Sequence, residues 1–155
     1  MGIQRIVAPL LVATVGGIAL PALAGRATVP DNATYRAECG SCHVAYPPGL
    51  LPSQSWQSIL AQLKHHFGTD ASVDAKTAAE LAAYLNAHAG RRGAGTTQQG
   101  ELPRITQTPF FVREHDEVRA ATWKSPAVKS AANCSACHRQ AERGDFSERN
   151  LRLPR

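Results

Sequence analysis

The pentapeptide Cys-x-x-Cys-His occurs twice in this 155-residue chain, as Cys39-Gly40-Ser41-Cys42-His43 and as Cys134-Ser135-Ala136-Cys137-His138. Together the two copies use all four cysteines. Two thiols at this spacing can meet the two vinyl groups of a haem, and a short helical turn then delivers the next residue's imidazole to the iron. The string is thus the attachment signature of haem c. Three other uses of the cysteines compete. A thioredoxin-like redox pair needs a βαβ context, and no such pattern surrounds either copy. Zinc sites pair their Cys-x-x-Cys strings about 15–20 residues apart, whereas these copies lie in opposite halves of the chain. Two simple disulfides would suit an oxidised, exported protein. None of the three accounts for a histidine directly after both motifs. The sequence predicts two covalent haems c, held by Cys39 and Cys42 and by Cys134 and Cys137, with His43 and His138 as proximal iron ligands.

Export agrees with this, because covalent haem attachment takes place outside the bacterial cytoplasm. Residues 1–24 read MGIQRIVAPLLVATVGGIALPALA, with Arg5 as a positive start, an apolar stretch from Ile6 to Leu20, and Ala22-Leu23-Ala24 as an A-x-A site. An uncleaved membrane anchor is the alternative. The apolar run has about the length needed to span a bilayer, but Pro9, Gly16, Gly17 and Pro21 interrupt it. Cleavage after Ala24 is expected, giving a soluble periplasmic protein that begins at residue 25 and is not inserted in the membrane. A chain that is 43% hydrophobic and 19% charged is globular, which excludes disorder, collagen and coiled coil. A net charge of +5 is mildly basic and does not suggest a nucleic-acid partner.

The far side of each iron is constrained by what is missing. Met1 is the only methionine, so signal cleavage leaves no thioether, and His/Met ligation is excluded by composition. Apart from His43 and His138, the imidazoles are His65, His66, His88 and His115. Either both irons are bis-histidine, or at least one is open or bound by a less common ligand. An amphipathic helix is predicted over Ser55 to Phe67, with Trp56, Ile59, Leu60, Leu63 and Phe67 on one face and Gly68 as its stop. His66 falls at the edge of this face and His65 opposite it, which favours His66. A second helix is predicted from about Asp74, its N-cap, to His88, with Gly90 as the stop. His88 lies at the edge of that helix's apolar face (Ala78, Leu81, Ala82 and Leu85). As a last-turn histidine it also suits the helix dipole, so His66 is preferred. His115 lies in a charged run and would ordinarily be a surface residue. If each half folds around its own haem, however, it is the one remaining histidine for the second iron.

The stretch AGRRGAGTTQQGE over 89–101 is Gly-rich, polar and without apolar periodicity, which reads as a linker. It divides the chain into a haem 1 domain over 25–92, a linker over 93–101 and a haem 2 domain over 102–155. The expected fold is mainly α. The first lobe resembles a compact class I cytochrome c, with a haem-bearing first segment, a loop Tyr46-Pro47-Pro48-Gly49, a middle helix, a ligand-bearing turn and a final helix. That final helix, Ala79 to Leu85, resembles the one that packs against the first helix in that family. The second lobe is small and largely irregular, and chains of that size need a staple. A haem with two axial bonds would tie Cys134, Cys137, His138 and His115 together, with Phe110, Phe111, Val112, Trp123 and Phe146 packing on it. Without haem this lobe is not expected to fold.

Several strings carry a wider resemblance. After the first motif come Ala45-Tyr46-Pro47-Pro48-Gly49-Leu50-Leu51-Pro52, then Trp56, then His66-Phe67-Gly68. Later come Phe111-Val112-Arg113-Glu114-His115, Ala132-Asn133 before the second motif, and Gly144-Asp145-Phe146. Over nearly all of residues 34–148 the chain resembles the small periplasmic bacterial dihaem cytochromes c. The resemblance implies two lobes and two bis-histidine haems, with His66 and His115 as the distal ligands. It also implies electron exchange with a membrane b-type cytochrome and with an oxygen-binding monohaem cytochrome c.

Filled coordination at both irons would leave one-electron transfer as the function, at comparatively low potential, since methionine is the ligand that raises it. No nucleophile or paired-carboxylate site suggests an enzyme. A peroxidase-like enzyme or gas sensor with one open iron is the alternative, and a haem subunit docked on a membrane complex is a third. The basic excess lies in the second half, at Arg139, Arg143, Arg149, Arg152 and Arg155, where it either meets an acidic redox partner or is simply solvated. Arg143-Gly144-Asp145 carries no adhesion meaning here.

Overall fold

The computed structural model describes residues 31–91 and 101–154. The expected cleavage point after Ala24 and the expected linker residues 93–100 lie outside the described residues. The architecture is helical. Five short α-helices are joined by 3-10 turns, and among the described residues β-pairing is limited to isolated bridges. No described helix is long and apolar enough to cross a membrane.

Helix α1 (Ala33–Cys39) starts where the Asn32 side chain accepts the Tyr35 N–H at 2.7 Å, satisfying one of the free donors of the first turn. It ends inside the first Cys-x-x-Cys-His string. There the Gly40 N–H closes on the Arg36 carbonyl at 3.0 Å, and a Cβ at position 40 would run into that same oxygen. Only glycine allows so tight an exit, so Cys39 sits on the helix and Cys42 on the turn after it.

Helix α2 (Ser53–Leu60) and helix α3 (Ala75–His88) pack against each other, and α3 also packs against α1. The expected pairing of the final helix with the first is borne out, with the Tyr35 and Tyr84 rings 5.0 Å apart. Their core is Tyr35, Leu51, Trp56, Ile59, Leu81, Tyr84 and Leu85. The indole N–H of Trp56 donates to the Pro48 carbonyl at 2.8 Å, so the largest core side chain buries its ring without stranding its donor. Asp74 caps α3 as expected, accepting the Lys76 and Thr77 N–H groups. Gly90 serves by close approach. Its N–H donates to the Leu51 carbonyl at 2.8 Å, and a Cβ there would strike the Gly49 oxygen.

The middle helix is shorter than its periodicity predicts. It ends at Leu60 instead of Phe67, and Leu63–His65 form a 3-10 turn. The backbone then reverses, with the Thr69 N–H on the His66 carbonyl at 3.0 Å and the Ala71 N–H on the Leu63 carbonyl at 2.9 Å. Phe67 (φ 49°) and Gly68 (φ 94°) occupy the centre of this reversal. Hydrophobic spacing alone does not reveal it, because a helix and a helix-then-turn bury the same leucines.

Residues 101–154 contain helix α4 (Pro109–Glu114), helix α5 (Ala120–Trp123) and several 3-10 turns. Their buried side chains are few, chiefly Thr108, Val128 and Ala141. Leu102 and Ile105 pack back onto the α1–α3 core. The C-terminal segment lies along the second motif, with the Arg152 N–H on the Cys137 carbonyl at 2.9 Å.

Candidate haem centres

The four cysteines are not paired with one another. Burial pushes the thiols of Cys39 and Cys134 up to about 11, the opposite of the depressed pKa that a redox-active Cys-x-x-Cys needs. Among the described residues, no three His, Cys, Asp or Glu side chains converge as a metal-binding group.

The histidines instead meet in facing pairs. Three elements bring His43 to His66: the exit of α1, the loop after it, and the reversal after α2. Their ring centroids lie 6.3 Å apart. In the second half, His115 at the end of α4 faces His138 across 6.0 Å. Two imidazoles trans to one metal, each bonded through a nitrogen about 2 Å from it, have centroids about 6 Å apart. Both pairs therefore have the separation that a single iron between them requires, and each contains the histidine of a Cys-x-x-Cys-His string. His65 and His88 are exposed and join neither pair. The His88 ring lies 4.9 Å from Tyr84.

The hydrogen bonds at the ring nitrogens define tautomers. Nδ1 of His43 donates to the Val44 carbonyl at 2.8 Å, and Nδ1 of His115 donates to the Phe111 carbonyl at 2.9 Å. A carbonyl can only accept, so Nδ1 carries the proton and Nε2 is left bare as a ligand. Nδ1 of His66 and of His138 is buried without a hydrogen-bond partner. Each pair thus joins one anchored imidazole to one unanchored imidazole. Burial, and next the facing His43, lowers the pKa of His66; burial, and next the facing His115, lowers that of His138. These directions favour the neutral imidazole that a metal needs.

Aromatic side chains frame both pairs. Tyr46 stacks on His43 at 4.6 Å, and Phe67 meets His66 edge-on at 4.8 Å. Phe111 stacks on His115 at 4.1 Å, Trp123 lies 5.8 Å from it, and Phe146 lies 5.4 Å from His138. Phe110 lies under the Arg113 guanidinium at 5.7 Å, and both it and Val112 are exposed.

Some participants escaped the sequence reading. The Phe111 carbonyl, four residues before His115, was not picked out, although helical spacing offered a signal for it. Tyr46 as a partner of His43, and Arg104 lying 4.4 Å over the Phe67 ring, had no sequence signal, because both depend on how the loops fold back.

The dihaem cytochrome c family model matches residues 35–146. A dihaem cytochrome c of Shewanella baltica OS155 is 42% identical, with a TM-score of 0.69, and the match covers 81% of this chain and 95% of that one. A dihaem cytochrome c of Rhodobacter sphaeroides is 41% identical, with a TM-score of 0.66, covering 77% of this chain and 99% of that one. No curated protein is significantly similar to the chain. With two attachment motifs, two facing histidine pairs and a helical fold shared with these structures, the chain belongs to the dihaem cytochrome c family, electron-transfer proteins with two covalently bound haem c groups.

Proposed function

We propose that the chain is a periplasmic one-electron carrier, not an enzyme, with two bis-histidine haem centres in two units over 25–92 and 102–155. The observation that carries this reading is the pair of facing imidazoles beside each attachment string. Cys39 and Cys42 would hold the first haem, with His43 and His66 as axial ligands. Cys134 and Cys137 would hold the second, with His138 and His115 as its ligands. When bound, each haem supplies an Fe(III)/Fe(II) couple. The chain's own residues decide what that couple can do. With all four imidazoles as iron ligands, neither haem would keep a free site for oxygen or peroxide. Histidine in place of methionine holds the potential comparatively low. The Val44 and Phe111 carbonyls fix the orientation of two of the imidazoles.

Electron paramagnetic resonance of the oxidised two-haem protein tests this. Two low-spin ferric signals of equal weight are expected. A high-spin signal from half the iron would contradict it and favour a peroxidase-like enzyme or sensor.

The relay would run between a membrane b-type cytochrome and a soluble monohaem cytochrome c. Arg139, Arg143, Arg149 and Arg152 suit an acidic face on such a partner. Electron-transfer rates to a partner should then fall as salt rises, and salt-independent rates would remove this part of the proposal.

A further inference from the structure

Tyr46 links the first histidine pair to the chain just before the second motif. Its ring lies against His43, 4.6 Å between centroids and 18° between planes. Its hydroxyl donates to the Ala132 carbonyl at 2.9 Å, eighty-six positions further along the chain. That carbonyl also accepts the Cys134 N–H at 3.1 Å. A continuous set of contacts therefore runs from the His43 imidazole, through the Tyr46 ring and hydroxyl, to the first haem-bearing cysteine of the second motif.

The ring is fixed from behind as well. The buried Tyr35 hydroxyl donates to the Tyr46 carbonyl at 2.6 Å, and Pro47 and Pro48, both buried, follow directly.

We infer that Tyr46 is the positioning residue for electron exchange between the two haems, holding the haem 1 ligand His43 and the haem 2 anchor Cys134 in one rigid unit. This rests on the bis-histidine dihaem reading. The exchange itself is simple: one electron leaves ferrous iron at one centre and reduces ferric iron at the other, with no bond broken and no proton moved. Such a step depends steeply on the geometry between the centres. Tyr46 is placed to set that geometry, because it is hydrogen-bonded to Ala132, two residues before one motif, and stacked on the histidine of the other.

Tyr46→Phe keeps the stack and removes the hydrogen bond, while Tyr46→Leu removes both. In the two-haem protein, intramolecular exchange would be followed after pulsed one-electron reduction, with the resonance spectrum of each oxidised haem recorded in parallel. Tyr46→Phe should keep the haem 1 spectrum and slow exchange by about threefold or more, because the contact that holds the two centres together loses its hydrogen bond. Tyr46→Leu should slow exchange and also alter the haem 1 spectrum. Exchange within twofold of the parent in both variants would overturn the inference, as would a haem 1 spectrum unmoved by Tyr46→Leu. If neither variant retains two haems, infrared difference spectra of the parent protein with ring-labelled tyrosine decide. A tyrosine band that shifts on reduction supports the role, and its absence refutes it. The dihaem reading fails separately, through a high-spin signal in the parent protein.

Discussion

His66 and His65 are chain neighbours with opposite surroundings. His66 is half-buried opposite His43, whereas His65 faces solvent. His66→Ala should open one axial position, so that carbon monoxide shifts about half of the ferrous haem absorption. His65→Ala and His88→Ala should leave the spectrum as it is, since neither ring meets a facing histidine. The same test on His115→Ala should open the other half. An unchanged spectrum in either paired-histidine variant would show that its iron takes another ligand. The buried, unpartnered Nδ1 atoms of His66 and His138 point the same way. Leaving a buried polar nitrogen unpaired costs about 1–3 kcal/mol, and ligation through the other nitrogen of the ring can offset it.

At the scale of the element, short helices end just before the histidines that face each other. Thr108 caps α4, accepting the Phe111 N–H at 3.1 Å and donating to the Ile105 carbonyl at 2.8 Å, and it is almost wholly buried. Thr108→Ala should cost about 1–2 kcal/mol, read from denaturant unfolding, and should loosen the helix whose Phe111 carbonyl anchors His115. Gly90→Ala should cost about 1–3 kcal/mol by overpacking against the Gly49 carbonyl, seen as a lower melting temperature. The helix from Asp74 to His88 was legible in the sequence because its cap, its apolar face and its length agree. The reversal at His66 was not. Its Phe67 sits at φ 49°, a conformation that bulky side chains rarely adopt, and no local preference announces it. His66 was favoured from a helical wheel, yet it faces His43 from a turn. The facing geometry comes from the reversal, which the wheel did not contain. Tyr46, quoted in the sequence as part of a proline loop, shows the same limit: its partners are 3 and 86 positions away.

Across the whole molecule, the two halves draw on different sources of order. Residues 31–91 have a core of seven buried side chains. Residues 101–154 bury little by themselves, although Leu102 and Ile105 lean on the first core. Mutating Cys134 and Cys137 to serine, which prevents covalent attachment at the second motif, should therefore leave 101–154 open to hydrogen exchange while Leu81 and Leu85 stay protected. Equal protection of both halves would show that the second needs no haem to fold. If four imidazoles close both irons, the absorption spectrum of the reduced protein should be superimposable with and without carbon monoxide. A shift equal to one haem's contribution would contradict it and place a reactive iron at one of the two centres.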